Sequence, residues 1–193
     1  MTDEGFDLAE RRDLEQVYQP AEDSDLLAEA AREYVTGDDR ALDVGTGSGY
    51  VAAALAEAGA DVVATDVNPL ACHQAHEAGV PVVRANLTDP FRAAVFDLVT
   101  FNPPYLPTPP EEELNDWMER ALSGGENGRE VIKPFLDTVG RVLAPDGCVL
   151  LLVSTLTDVQ AVESLADDAG FSTREVAEES HPFERLVVLE LRL

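Results

Sequence analysis

Ala41-Leu42-Asp43-Val44-Gly45-Thr46-Gly47-Ser48-Gly49-Tyr50 runs from a short apolar stretch into three glycines at alternate positions. An alanine-rich segment, Val51 to Ala58, follows and closes at Gly59. Strand, glycine loop and helix in that order form the nucleotide-side corner of a doubly wound α/β fold. The spacing is Gly-x-Gly-x-Gly, not the Gly-x-Gly-x-x-Gly of dinucleotide binders. Glycines this tightly spaced let the backbone approach a flat or small ligand closely. Asp43, just before the loop, can accept hydrogen bonds from an ammonium group or from loop amides.

Downstream, Asp61 to Asp66 reads as the second strand, ending in an acid about twenty residues past the loop. In this fold such a carboxylate faces a ribose and binds both hydroxyls, which argues against a phosphorylated ribose. Asn68-Pro69 opens a helix to about Ala78. Val80-Pro81-Val82-Val83-Arg84 is a third strand, with Asn86-Leu87 at its end. The fourth, Val95 to Phe101, runs into Phe101-Asn102-Pro103-Pro104-Tyr105. The two prolines remove backbone donors and fix φ, and the residue before a proline is pushed toward extended backbone. A stiff turn at a strand's carboxyl end then leaves the Asn102 carboxamide and nearby carbonyls free as acceptors. That suits gripping a planar NH2 group: Asn102 Oδ1 and a backbone carbonyl take its two hydrogens while an apolar wall packs its face. The alternative is a loop whose prolines only stop edge pairing.

Upstream, Met1 to about Asp13 is polar and expected to be poorly ordered. Val17-Tyr18-Gln19-Pro20-Ala21-Glu22-Asp23-Ser24 leads into a helix with Leu26, Leu27, Ala30, Ala31, Tyr34 and Val35 at helical spacing, ended by Gly37. Pro20 and the acidic first turn are also ordinary helix-start features, and Asp23 can serve as a cap. Beyond the fourth strand, Leu106 to about Asn127 is rich in Pro and Glu, with a helical stretch around Glu113–Leu122. A connection this long covers a site or moves. Gly124-Gly125-Glu126-Asn127-Gly128 turns into a long helix with Val131, Ile132, Phe135, Leu136, Val139 and Leu143 on one face. Pro145-Asp146-Gly147 is a turn, and Cys148 to Val153 is an apolar strand buried on both faces. A helix from Asp158 to Ala169 precedes two strands, Ser172–Glu178 and Leu186–Leu193. With no repeat, low-complexity tract or linker in view, residues 1–193 read as one α/β domain.

The composition narrows the class. The chain has 193 residues, 45% hydrophobic and 26% charged, globular values that exclude wholesale disorder. No apolar run approaches the ~20 residues of a bilayer span, and Met1-Thr2-Asp3-Glu4 lacks a signal peptide's basic and apolar regions. Cys72 and Cys148 are too few and too scattered for a disulfide framework, which suits a reducing cytoplasm. There are 38 acidic residues against 13 basic ones, a net charge of −25. So acidic a surface repels phosphate backbones. Spread over every helix, the charge reads as adaptation to high salt, where screening shortens to a few ångströms, and points to a halophilic archaeal source.

Asp43-Val44-Gly45-Thr46-Gly47-Ser48-Gly49, then Asp66, then Asn102-Pro103-Pro104-Tyr105 resembles the Rossmann-like S-adenosylmethionine-dependent methyltransferases. Within them the chain resembles the HemK/PrmC group, which methylates the glutamine of the Gly-Gly-Gln motif in class-one translation release factors. Val17 to Ser24 and Gly124 to Arg129 are similar to the short archaeal and eukaryotic branch. The match runs from about Val17 to the C-terminus. The resemblance implies a seven-stranded, mainly parallel sheet with helices on both faces. It implies that Asp43, Gly45, Thr46, Gly47 and Gly49 hold the methionine end of the cofactor and Asp66 its ribose. Val67, Asn86 and Leu87 then bracket the adenine, and Tyr18, Pro20 and Asp23 close over the cofactor. Asn102 and the Pro103 carbonyl hold the substrate amide, with Pro104 and Tyr105 beside it. Relatives often carry Asp where Asn86 stands. They also carry a tryptophan where Leu122 precedes the double glycine; here Trp117 lies further upstream. Enzymes of the short branch work with a small zinc-binding activator, which on this chain is expected to pair with the edge strand Val80 to Arg84. The alternative is an edge left short and protected by Pro81.

Other signals are weaker. Cys72, His73 and His76 fall within about one helical turn without further matched ligands, which argues against a metal site. His181 reads as a turn residue before Pro182, and Glu111, Glu112 and Glu113 as a solvated loop. An adenine amine in DNA or RNA is also a planar NH2 group, but the charge and the lack of a target-recognition domain stand against it. Lysine methylation of other proteins and cofactor binding without catalysis complete the alternatives.

Overall fold

The computed structural model describes residues 16–111 and 116–193. Met1 to Asp13, Glu112 and Glu113 lie outside the described residues. In chain order the elements are α1 (Glu22–Arg32), β1 (Arg40–Val44), α2 (Tyr50–Glu57), β2 (Asp61–Asp66), α3 (Pro69–Glu77), β3 (Val82–Arg84) and β4 (Phe96–Phe101). Then come α4 (Trp117–Leu122), α5 (Ile132–Val139), β5 (Leu143–Ser154), a 3₁₀ turn (Thr155–Thr157), α6 (Val159–Asp168), β6 (Ser172–Ser180) and β7 (Arg185–Arg192).

The strands form one seven-stranded sheet in the order β3-β2-β1-β4-β5-β7-β6. All pairs are parallel except β5–β7 and β6–β7, which are antiparallel. The expected α/β sheet is therefore present, and the order reverses between β1 and β4. Adjacent connections leave that point in opposite directions, which opens a crevice at the strands' carboxyl ends.

Both faces of the sheet are covered. Along β5, Leu150 and Leu152 pack with Leu27, Leu55 and Ala75 from α1, α2 and α3, whereas Leu151 and Val153 pack with Phe135, Leu136 and Val162 from α5 and α6. This is the period-two alternation of a strand with an apolar layer on each side. All these β5 residues are fully buried.

Several boundaries differ from the expected ones. α1 stops at Arg32, before Tyr34, Val35 and Gly37, because the chain tightens there: Glu33 N donates to Ala30 O and Tyr34 N to Ala31 O. β3 begins only at Val82, since Pro81 has no N–H to donate; its carbonyl accepts from Ala64 N at 2.8 Å. The expected long helix is α5, ending at Val139, and Leu143 opens β5 instead of extending the helical face. Pro145-Asp146-Gly147 is an irregularity inside β5, where pairing steps from Phe96–Leu143 to Leu98–Cys148 and Asp146 takes φ +67°. The helical stretch expected from Glu113 is described only from Trp117, capped by Asp116 Oδ1 accepting from Glu119 N. Among the described residues no helix is long and apolar enough to cross a membrane.

Candidate active site

A cavity of about 370 Å³ occupies the crevice between the ends of β1 and β4. Its floor is the glycine loop. Asp43, buried at the end of β1, accepts from Thr46 Oγ1 at 2.7 Å and from Thr100 Oγ1 at 2.8 Å. The carboxylate thereby ties the loop to β4. Burial pushes the Asp43 carboxyl up to about 6, against the pull of those two hydroxyls. Gly45 and Gly47 adopt φ +63° and +55°, which side chains rarely tolerate. A Cβ on Gly45 would lie 3.2 Å from the Phe101 ring, and one on Gly47 3.4 Å from the Tyr18 carbonyl.

Asp66, at the end of β2, accepts from Gly47 N at 2.9 Å and from Asn68 N at 2.8 Å. Each oxygen keeps an acceptor site in a residue that lines the cavity. Burial raises the Asp66 carboxyl, while backbone N–H groups from Asn68, Gly47 and Val67 draw it back. Asn86 and Leu87 form a further wall with Val67. Leu87 is held at φ +47°, and its carbonyl accepts from Thr65 Oγ1 at 3.1 Å.

The segment before α1 crosses this floor as a strap. Asn68 Nδ2 donates to Gln16 O at 2.9 Å, and Trp117 N donates to Gln16 Oε1 at 3.1 Å. The Tyr18 hydroxyl donates to the Asp23 carboxylate at 3.0 Å, and Ser24 N donates to Asp23 Oδ1 at 2.6 Å. Burial, then the nearby Asp23 charge, pushes both the Tyr18 and Tyr105 phenols up, so both stay protonated donors. Opposite the strap, Asn102 Oδ1 is buried without a hydrogen-bond partner among the described residues. A buried acceptor left unsatisfied is costly, and here it belongs to a cavity-lining residue. That orphaned oxygen is a seat for an N–H donor from outside the chain.

Of the residues expected from sequence, Tyr18, Pro20, Asp23, Asp43, Gly45, Thr46, Gly47, Asp66, Val67, Asn86, Leu87, Asn102, Pro103, Pro104 and Tyr105 all line the cavity. Gly49 does not. It caps α2 at φ +87°, where a Cβ would sit 3.1 Å from Ala75, so it serves the packing of α2 on α3. Asp23 is no N-cap; that position is Ala21, and Asp23 lies in the helix's first turn. Trp117, Glu119, Arg120, Ser24 and Glu130 also line the cavity, and sequence reasoning does not pick them out as site residues. The Arg120 guanidinium lies 5.0 Å from the centre of the Trp117 ring. The long Pro-rich connection is the available signal, but which of its side chains turn inward depends on α4. On α3, Cys72 Sγ donates to the Asp66 carbonyl and His73 pairs with Glu77. His181 N donates to Glu184 O in the turn before β7, and Glu111 is exposed.

The arrangement can hold an extended ligand with a diol near Asp66, a flat group between Val67 and Leu87, and an amide against Asn102. Comparison with known proteins shows what the chain is similar to. A methyltransferase-domain family matches residues 42–104. A chain of Methanocaldococcus jannaschii assigned as a protein N5-glutamine methyltransferase is 34% identical over 181 residues, covering 90% of each chain. Methyltransferase HEMK2 of Mus musculus is 38% identical over 151 residues, 70% of this chain and 71% of its own length. Among solved structures, the E. cuniculi Mtq2–Trm112 complex, responsible for methylation of the eRF1 translation termination factor, superposes with a TM-score of 0.75. It is 28% identical, covering 91% of this chain and 98% of that one.

Proposed function

The chain belongs to the protein N5-glutamine methyltransferase family, and on that premise we propose that it methylates the glutamine side chain of the Gly-Gly-Gln motif in a class-one translation release factor. The cofactor is S-adenosylmethionine, which when bound supplies a methyl group on a positively charged sulfur. The single observation that carries the substrate reading is the buried Asn102 Oδ1 with no partner among the described residues.

Asp66, with acceptor sites free beyond the Gly47 and Asn68 amides, takes the ribose hydroxyls. Val67, Asn86 and Leu87 enclose the adenine, and Asp43 with the loop faces the methionine end. Tyr18, Pro20 and Asp23 close the strap over it. Asn102 Oδ1 accepts one amide hydrogen of the substrate and the Pro103 carbonyl the other, which turns the nitrogen toward the methyl. An amide nitrogen is a poor nucleophile because its lone pair is delocalised, so orientation in a dry pocket is the main catalytic resource. With the cofactor bound, methyl transfer would leave a surplus proton on the nitrogen, held against Asn102 Oδ1 or the Pro103 carbonyl until it is released to solvent. No strong base is required.

A small zinc-binding activator pairs with the outer edge of β3, extending the sheet by one strand. Supporting this, β3 is an edge strand and Val83 is 39% exposed. An apolar edge without a cover is an aggregation hazard. The whole of 1–193 acts as one methyltransferase domain in the cytoplasm of a cell that keeps molar internal salt, which the net charge of −25 supports.

The test is methyl transfer from labelled S-adenosylmethionine to purified archaeal release factor in molar salt, with and without activator. Label that disappears with Gln→Ala in the Gly-Gly-Gln loop, and with Asn102→Ala in the enzyme, is the expected result. Label that instead goes to DNA, RNA or lysine side chains would replace the substrate while keeping the cofactor.

A further inference from the structure

Six large apolar side chains stand exposed among the described residues: Tyr50, Val67, Val83, Leu156, Phe183 and Leu193. On a surface with 38 acidic residues their positions carry information. Tyr50 and Val67 line the cavity, Val83 lies on the outer strand, and Leu193 is the last residue. Leu156 and Phe183 have no such role. Phe183 is the extreme case at 94% exposed.

Both belong to the catalytic end of the sheet. β4 ends at Phe101 opposite Leu151 of β5, so Asn102 stands one step beyond that pair. β5 continues to Ser154, opposite Leu186 at the start of β7, and the β6–β7 turn carrying Phe183 projects from the same end. That turn is braced. His181 N donates to Glu184 O at 2.8 Å, Ser154 Oγ donates to Glu184 Oε2, and Arg185 N donates to Thr155 Oγ1 at 2.9 Å. Ser154 Oγ also accepts from Leu156 N at 3.1 Å, which sets the 3₁₀ turn beside it. The 3₁₀ turn in turn abuts the catalytic loop through one glycine: a Cβ on Gly128 would lie 2.5 Å from the Tyr105 carbonyl and 2.7 Å from Thr157 Cγ2.

We infer that Leu156 and Phe183 form a docking shelf for the folded body of the release factor whose glutamine enters the Asn102 pocket. This rests on the function proposed above. A glutamine side chain is short, so the loop bearing it must come down to the cavity rim. The protein behind that loop is then carried over the adjoining β6–β7 turn. The shelf is continuous with the cavity mouth through Tyr105, Gly128 and Thr157. Rigid aromatic anchors that become desolvated are what interfaces use for attachment. A chain at −25 gains little from charge when the Debye length is a few ångströms, whereas apolar contact survives molar salt.

The test compares Phe183→Ser and Leu156→Ser with the parent enzyme, each with activator, on intact release factor and on a short peptide carrying the same Gly-Gly-Gln loop. Both residues are exposed, and thermal melting checks that each variant folds. The expected result is a KM for intact factor raised about tenfold, with kcat, the KM for S-adenosylmethionine and the peptide kcat/KM unchanged. An unchanged KM for intact factor in both variants overturns the shelf, as does an equal loss on factor and peptide. Loss of self-association or of activator binding with an unchanged KM also overturns it, assigning the surface to another occupant. A parent enzyme that methylates neither substrate overturns the function reading, and the shelf with it.

Discussion

The Tyr105 hydroxyl donates to Asp23 Oδ2 at 3.5 Å, joining the residue that closes the Asn-Pro-Pro-Tyr motif to the first turn of α1. Tyr18 donates to the same carboxylate at 3.0 Å. One buried acid therefore couples the segment before α1 to the Asn-Pro-Pro-Tyr loop. Asp23→Ala leaves two half-buried phenols without this acceptor and is expected to cost about 1 kcal/mol of stability. It also raises the KM for S-adenosylmethionine and lowers kcat. Asp23→Asn, which keeps an acceptor oxygen, recovers most of the stability in thermal melts. Equal stability of the alanine variant and the parent would refute the coupling.

Asn102→Ala removes the orphaned acceptor. The expected loss is about 10²–10³-fold in kcat for glutamine methylation, the scale seen when one oriented hydrogen-bonding group is removed from a reacting centre. Cofactor binding by calorimetry should change far less, because Asp66 and the glycine loop remain.

Asp43 titrates higher in the folded protein, about 6 against an ordinary 3.8. Between those values the folded state binds a proton that the unfolded chain has released. The contribution of Asp43 to stability is thus greatest below about pH 4, falls as pH rises through the window, and levels off above about 6. The total effect is about 3 kcal/mol, two pKa units at 1.36 kcal/mol each. Denaturant unfolding at pH 4, 5, 6 and 7 in molar salt measures it as a difference between the parent and Asp43→Asn, whose profile lacks this component. A difference that is flat with pH would refute it.

Gly49→Ala and Gly47→Ala should part company. At Gly49 the added methyl meets Ala75 at 3.1 Å with φ +87°, so the expected effect is a loss of about 1–2 kcal/mol in stability. The cofactor KM should hold below the melting point, because Gly49 is off the cavity lining. At Gly47 the site is the cavity floor beside the Tyr18 carbonyl, and cofactor affinity should fall.

Val83→Asp puts a charge on the exposed side of β3 at the edge of the sheet. Copurification with the activator is expected to be lost while the monomer's melting temperature changes little. Retained copurification would move the partner elsewhere.

The succession of strands, glycine loop and helices is legible in the residues alone, because it rests on local preferences; the order of the strands in the sheet is not. Asp61–Asp66 has the expected boundaries, and Gly59 and Pro69 punctuate the helices where a left-handed residue and a missing N–H require it. The glycine loop, Asp66 and Asn102 are readable for the same reason, each sitting at the carboxyl end of a strand whose apolar pattern announces it. The shifted boundaries mark where local preference is overruled. Pro145-Asp146-Gly147 reads as a turn, yet it stays in β5 because pairing with β4 resumes on its far side. Leu143 keeps helical spacing with Val139, yet it opens the strand that places it opposite Phe96.

Contacts between distant segments are not legible in this way. Asp23 meets Tyr105, Trp117 meets Gln16, and Gly49 rests on Ala75 only after the chain has packed. The same holds for the braced turn that brings Phe183 to the active-site end. Residue types and spacing set what each strand, loop and helix prefers, because those preferences come from backbone sterics and periodicity within a few residues. Which side chains face one another across the crevice follows from the burial of both faces of the sheet. That packing is a property of the whole chain, with no local signature to read.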